Sequence, residues 1–284
     1  MLINEAIEAY RWAESNLKPG DEQEVIKFRA FASAMLFRYT ADKSYETKLI
    51  DDLERIKLPV NENIWGNGDY ESLFALWTYA LTDNDKVNKQ YQKKIIDKVL
   101  DYTDYMYVKA AEKRACRMAF PWMQETAVGN ATTPFVTPLI MAYEITQDSA
   151  YLDYVYTSCD YILGGNPLNL VWTTGLGENS VKDPLMINNW YSDNDEPIPG
   201  ITVYGPIKLN MSHIRPWKGR TPNIPWHPGF SHNTCYPDKT LWPAHELFFE
   251  NRLCPITNEF TIMQVSGLVG SVFGYLCAPG IPAK

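Results

Sequence analysis

The chain has 284 residues, 45% hydrophobic and 21% charged, a balance that excludes wholesale disorder and suffices for one large core or two small ones. A formal net charge of −8, without clustered Lys and Arg, excludes the electrostatic footprint of a nucleic-acid binder. Five scattered cysteines (116, 159, 235, 254 and 277) form no C-x-x-C pair and signal neither a disulfide framework nor a thiolate metal site.

The N-terminus, MLINEAIEAYRWAE, opens at once on an amphipathic helical pattern, with no basic n-region or apolar h-region. The expectation is a cytoplasmic protein or a chain that begins inside a longer exported one. Helical periodicity continues to about residue 163 through FRAFASAMLFRY, YESLFALWTYAL and TPLIMAYEIT. A repeat lies on top of it. Phe37-x-x-Thr40-x-Asp42-x-x-Tyr45 recurs as Tyr143-x-x-Thr146-x-Asp148-x-x-Tyr151, and Tyr79-x-x-Thr82-x-Asn84 is a weaker copy. Each copy predicts a helix ending at Thr, an Asp or Asn capping the next helix, and an aromatic stapling the turn. Residues 1–163 are therefore expected to form helical hairpins with bends near Thr40, Thr82 and Thr146. Such hairpins bury their inner faces by stacking, and the irregular spacing of the copies favours a closed α/α ring with elaborated loops over a regular solenoid.

Between residues 164 and 256 the pattern changes to long loops that hold most of the prolines, all four histidines and five of the nine tryptophans. Long irregular segments inside a domain are usually functional. Trp and Tyr mixed with Asn, His and Asp suit a sugar cleft, because aromatic faces cover the C–H face of a pyranose while amides and carboxylates bond its hydroxyls. His213, His227, His232 and His245 lack metal-ligand spacing, and no nucleophile triad or phosphate loop is favoured, so neither a metal nor a cofactor is expected.

The final segment, 257–278, is uncharged from Phe260 to Ala278, with Glu259 at its mouth. Its length meets the minimum for a membrane span, but Gln264, Ser266, Gly267, Gly270, Ser271 and Gly274 interrupt it and no Lys/Arg cluster follows. The pattern predicts a final buried helix whose small residues at 267, 270, 271 and 274 form a close-packing stripe, and no membrane partner. Glu259 then reads either as a first-turn acid answering the helix dipole or as a functional group.

DYILGGNP (160–167), TTGLG (173–177), PIPG followed by GP (197–200 and 205–206) and NEFTI (258–262) occur in that order after AYEITQDSAYLD. Together they resemble the C-terminal part of glycoside hydrolase family nine, from about Ala6 to the chain end. The resemblance implies an all-α, six-hairpin (α/α) toroid, incomplete in this chain, with 1–284 as one catalytic-type domain. It implies inverting hydrolysis of β-linked polysaccharide or oligosaccharide, secreted or periplasmic, with Glu259 as general acid. Candidate sugar contacts are Trp122, Trp190, His213, Arg215, Trp217, Trp226, Tyr236, Trp242 and Asn258.

The chain departs from the family pattern in lacking the DAGD motif that carries the base, and DPLMINNWYS has no His or Arg after TTGLG. His213-Ile-Arg215 offers similar donors from another loop. Trp65-Gly-Asn-Gly-Asp69-Tyr resembles DAGDY out of order. Asp69 is thus a candidate base, and on the plainer reading the cap of helix ESLFALW. The expectation is a hydrolase lacking its base in this chain, which an N-terminal segment of the same protein would complete. The alternative is a non-catalytic carbohydrate-binding or structural relative.

Overall fold

A computed structural model of the chain describes residues 2–58, 70–119, 136–186, 188, 196–207, 241–243, 245–252, 254–262, 265 and 269–282. Contacts group the chain into two compact units, Met1–Tyr105 with Met141–Gln147, and Met106–Ile140 with Asp148–Lys284. The division near 105 lies well before the change of composition at 163.

The first unit is built from α1 (Leu2–Asn16), α2 (Glu22–Thr40), α3 (Lys43–Leu53), α4 (Tyr70–Ala80) and α5 (Lys89–Thr103). α2 packs on α1, α3 and α4, and α4 packs on α5, so consecutive hairpins lie against each other. Their shared interior holds Ala30, Ala34, Phe37, Leu49, Leu73, Leu76, Tyr79 and Ile95. The predicted bends are present. At all three repeats the Thr hydroxyl donates back to the carbonyl four residues earlier, Thr40 to Leu36 at 2.7 Å, Thr82 to Thr78 at 2.7 Å and Thr146 to Ala142 at 2.8 Å. This local bond competes with helix continuation and marks its end.

The residue after Thr turns left-handed in the two strong copies, Ala41 at φ 54° and Gln147 at φ 58°. Their amides close on Phe37 and Tyr143 carbonyls, an αL stop. Asp42 then accepts from the Ser44 amide at 2.9 Å as the N-cap of α3. In the weak copy Asn84 accepts only from Lys86, and α5 is capped instead by Asn88, which accepts from the Tyr91 amide at 3.1 Å. The expectation that Asn84 caps the next helix is therefore corrected. The longer loop after Thr82 moves the helix start beyond its reach.

Two buried polar clusters tie the hairpins of this unit. Arg29 on α2 donates through Nε and Nη2 to both carboxylate oxygens of Asp52 on α3, at 2.8 and 2.7 Å, with both residues buried. Removing one partner of such a pair leaves a buried charge and typically costs about 3–5 kcal/mol. Glu46 on α3, 1% exposed, accepts from the Tyr79 hydroxyl at 2.8 Å and the Asn88 amide at 2.6 Å, and is paired with Lys43. Burial works to raise its pKa, but the donors win and hold the carboxyl below its ordinary value.

The second unit contains α6 (Lys109–Lys113), a 3₁₀ turn at Ala115–Arg117, α8 (Ala150–Ile162), α9 (Pro255–Asn258) and α10 (Ser271–Leu276). α7 (Thr137–Thr146) has its first residues in this unit and its last in the other. Among the described residues no strand forms. Four isolated bridges, Leu163–Val171, Val171–Ser180, Thr173–Thr202 and Ile207–Leu247, join the loops that follow α8. No described helix is long and apolar enough to cross a membrane.

The 257–278 segment differs from its expected continuous buried helix. α9 ends at Asn258, and Glu259 is extended at φ −71° and ψ 158°. Ile262 is 78% exposed, and a Cβ at Gly274 would meet open space, so Gly274 takes no part in the expected close-packing stripe. The physical reason is that neighbouring loops take the carbonyls of Asn258 and Glu259, which a continuing helix would need.

Glu46→Gln is expected to lower stability by about 1–3 kcal/mol near neutral pH. A carboxyl with a depressed folded pKa contributes stability above its unfolded pKa and loses it as pH falls through the folded value. The wild-type chain should therefore lose more stability than Glu46→Gln between about pH 5 and pH 3, as denaturant titrations at each pH would measure.

Candidate active site

The loops of the second unit are knitted by the family-like motifs. After α8, Gly164 takes φ 108° and the Gly165 amide closes on the Asp160 carbonyl at 2.7 Å. A Cβ at Gly165 would lie 2.9 Å from that carbonyl oxygen, so the close approach requires glycine. Asn166 clamps the loop. Its Nδ2 donates to the carbonyls of Tyr161 (2.8 Å) and Leu170 (2.7 Å), and its Oδ1 accepts from the Leu168 and Leu170 amides.

TTGLG and PIPG pack on each other. The Thr174 hydroxyl donates to the Ile198 carbonyl at 2.6 Å and accepts from the Ile201 amide at 3.0 Å. The Thr174 carbonyl accepts from Gly200, and the Thr173 and Thr202 hydroxyls pair at 2.9 Å. Gly175 has φ 69°, and a Cβ there would lie 2.8 Å from the Pro199 side chain. Beneath this layer Trp172 is buried edge-on against Phe248, with centroids 5.0 Å apart.

The same frame holds Glu259. Tyr204 N–H donates to the Glu259 carbonyl at 2.9 Å, Gly205 N–H to Thr257 at 2.9 Å, and Leu185 N–H to Asn258 at 2.8 Å. Asp183 accepts from the Arg252 amide at 2.9 Å and pairs with its guanidinium, joining the 181–186 loop to the segment before α9. Glu259 itself is exposed, yet partial burial pushes its pKa above the ordinary carboxyl value, and among the described residues no charge or hydrogen bond offsets this. It follows the last residue of α9, so no N-terminal dipole of that turn stabilises its anion.

The candidate sugar contacts divide. Asp69, Trp122, Trp190, His213, Arg215, Trp217, Trp226 and Tyr236 lie outside the described residues. Trp242 is half-buried, packs on the Ile207, Leu247 and Cys254 cluster, and tilts against Phe249 at 5.9 Å. Asn258 is fully buried, and its Nδ2 donates to the Phe249 and Cys254 carbonyls and the Thr257 hydroxyl. Its side chain holds the α9 turn and does not face solvent as a sugar contact would. Sequence reading missed Tyr204, Thr174 and Asn166 as positioning groups. The signal for the last two is present in the sequence, since an Asn or Thr inside a glycine-rich turn motif can bond the backbone of its own loop.

Among the described residues no group of His, Cys, Asp and Glu could hold a metal ion. The first unit is made of stacked helical hairpins, and the loops of the second present Glu259, whose pKa burial raises. The chain belongs to glycosyl hydrolase family 9, whose model it matches over residues 1–272. It is 26% identical to the xyloglucan-specific endo-beta-1,4-glucanase BoGH9A of Bacteroides ovatus, over 62% of this chain and 30% of that protein. It is 23% identical to a cellulose 1,4-beta-cellobiosidase of Acetivibrio thermocellus, over 74% of this chain and 28% of that one. The structure of AaCel9A in complex with cellobiose-like isofagomine superposes with TM-score 0.66 at 21% identity, covering 89% of this chain and 44% of that one. The fold is thus the (α/α)6 toroid, matched in part. The chain spans about 30% of the length of these curated relatives.

Gly175→Ala should destabilise the second unit by about 1–3 kcal/mol, since Ala must adopt the left-handed backbone and displace Pro199. Thermal unfolding monitored by near-UV circular dichroism would detect it, whereas Gly177→Ala, at φ 77° but in open space, should cost less.

Proposed function

We propose that the chain takes part in hydrolysis of β-1,4-linked glucan by an inverting mechanism, with Glu259 as general acid. One observation carries the reading: an accessible carboxyl, fixed by backbone bonds on both sides, has its pKa raised by burial. A leaving-group acid must keep its proton while the substrate arrives, and desolvation favours the neutral form. The names of the relatives, a xyloglucan-specific endo-beta-1,4-glucanase and a cellulose 1,4-beta-cellobiosidase, support a β-1,4-glucan substrate.

The reaction needs a second carboxylate about 6.5–9.5 Å from the first, with a water between them for attack on the anomeric carbon. Glu259 gives its proton to the glycosidic oxygen as the bond breaks, and the base takes one from the water. The chain has no DAGD motif, and among the described residues no carboxylate's charge acts on Glu259. On this reading the base comes from a segment carrying DAGD, which would also complete the toroid as a single catalytic domain. That same observation favours a second reading, a sugar-binding relative that does not hydrolyse.

The test is release of reducing sugar from a β-1,4-glucan such as carboxymethylcellulose by the 284-residue chain, alone and joined to a family member's DAGD-bearing segment. The chain alone should be a poor catalyst, the joined protein faster by about 10²-fold or more, and Glu259→Gln should remove the gain. Ordinary turnover by the chain alone, abolished by Asp69→Asn, would mean that the GNGDY turn is the base. Cello-oligosaccharide binding without hydrolysis in either form would favour the second reading. In the joined protein the alkaline limb of kcat/KM should lie above the ordinary glutamate pKa of about 4.3, because Glu259 acts protonated and its pKa is raised.

A further inference from the structure

We propose that the aromatic face shared by α2 and α4 is a docking surface, and that its occupant is an apolar helix of the DAGD-bearing segment. The inference rests on the reading that such a segment completes the toroid, and it names where on this chain the segment seats.

α2 is apolar on two sides. One side, with Ala30, Ala34 and Phe37, is buried in the interior of the first unit. On the other, Phe28, Phe31, Met35 and Tyr39 follow one another at steps of three or four residues, which sets them in one row along the helix. Phe28 is 53% and Tyr39 64% exposed, while Phe31 and Met35 are half-buried. α4 widens the row. Its Phe74, 37% exposed, has its ring centroid 5.7 Å from that of Phe31 and 5.8 Å from that of Trp77, and the Thr78 hydroxyl lies 3.9 Å from the Met35 sulfur. These contacts make one surface of two helices.

Single exposed apolar residues are ordinary, but a contiguous aromatic patch across two packed helices marks a contact surface. A helix apolar on both sides is one that a larger domain buries on both. No charged side chain stands in the row itself. Lys27, whose ammonium lies 5.2 Å from the Phe28 ring, and Arg38 flank it on α2, and Glu71 stands three residues before Phe74 on α4. An apolar centre with charges at its rim suits a protein partner, and the groove between two parallel rows of side chains suits a helix. The source of that helix follows from the fold. The AaCel9A toroid superposes on this chain with 44% of its own length, so the helices without a counterpart here are the ones available to cover a face left open.

The experiment compares the 284-residue chain with the same chain joined to a family member's DAGD-bearing segment, each as wild type and Phe28→Glu. In the chain alone Phe28 stands in solvent, so Phe28→Glu should move the thermal midpoint by no more than about 1 °C. In the joined protein it puts a charge into an apolar contact and should lower the midpoint by about 5 °C or more. Hydroxyl-radical footprinting read by mass spectrometry is the second measure: Phe28, Met35 and Tyr39 should be oxidised in the chain alone and lose most of that modification in the joined protein. A midpoint that falls as far in the chain alone would overturn the inference, because the face would already be covered. Equal oxidation of the three residues in both proteins would overturn it too. Self-association of the wild-type chain that Phe28→Glu abolishes would assign the face to a second copy instead. None of these readouts involves turnover. A joined protein that protects the face without cleaving glucan would refute the hydrolase reading and leave the docking surface standing, and one that cleaves glucan with the face still open would do the reverse.

Discussion

The structure around Glu259 depends on one constraint: the Asn258-Glu259 backbone must leave its helix and remain fully hydrogen-bonded while doing so. A helix end leaves carbonyls without partners, and burying them unpaired would be costly. The amides of Leu185 and Tyr204 take them, at 2.8 and 2.9 Å. The described loops that carry those two amides are held by bonds of their own. The Asp183–Arg252 pair holds the first loop, and the Thr173–Thr202 contact and Thr174 hold the second.

This explains why the motifs that identify the family make few side-chain statements about sugar. LGGNP, TTGLG and PIPG combine glycines, of which Gly165 and Gly175 sit at close approaches and Gly164, Gly175, Gly177 and Gly200 at positive φ, with polar side chains bonded to backbone. Asn166 uses its amide to satisfy four backbone groups of its own loop, and Thr174 bridges two segments with one hydroxyl. Long loops without regular structure have the same backbone groups to satisfy as helices and strands do. Here side-chain amides and hydroxyls take the place of a sheet. If Glu259 is the proton donor proposed above, the rigidity gained matters, because a misplaced acid loses much of its effect even when chemically intact.

Much of the first unit was legible in the sequence, and for identifiable reasons. The Thr-x-Asp copies encode a local event, a hydroxyl back-bond followed by a side-chain cap, and local chemistry is readable from neighbours along the chain. Asn84 misled because a cap depends on loop length as well as residue type. Arg29–Asp52 and Glu46–Tyr79 were not legible, since each joins residues brought together only by packing. At the candidate site, the NEFTI motif is what singles out Glu259 in the sequence. The end of α9 was not, because an apolar, charge-free run reads as a buried helix when the competing partners of its carbonyls lie more than fifty residues away. Tyr204 was missed for that same reason.

The account's central claim is that the loop frame holds Glu259 where it can hand a proton to a glycosidic oxygen. The most direct measurement is a crystal structure of the chain with a bound cello-oligosaccharide long enough to cross the site. The account requires a glycosidic oxygen within hydrogen-bond reach of the Glu259 carboxyl, about 2.6–3.2 Å, with the Tyr204 and Leu185 amides still on the backbone carbonyls of Glu259 and Asn258. An oligosaccharide bound across other loops, with the Glu259 carboxyl turned away from every glycosidic oxygen, would contradict it.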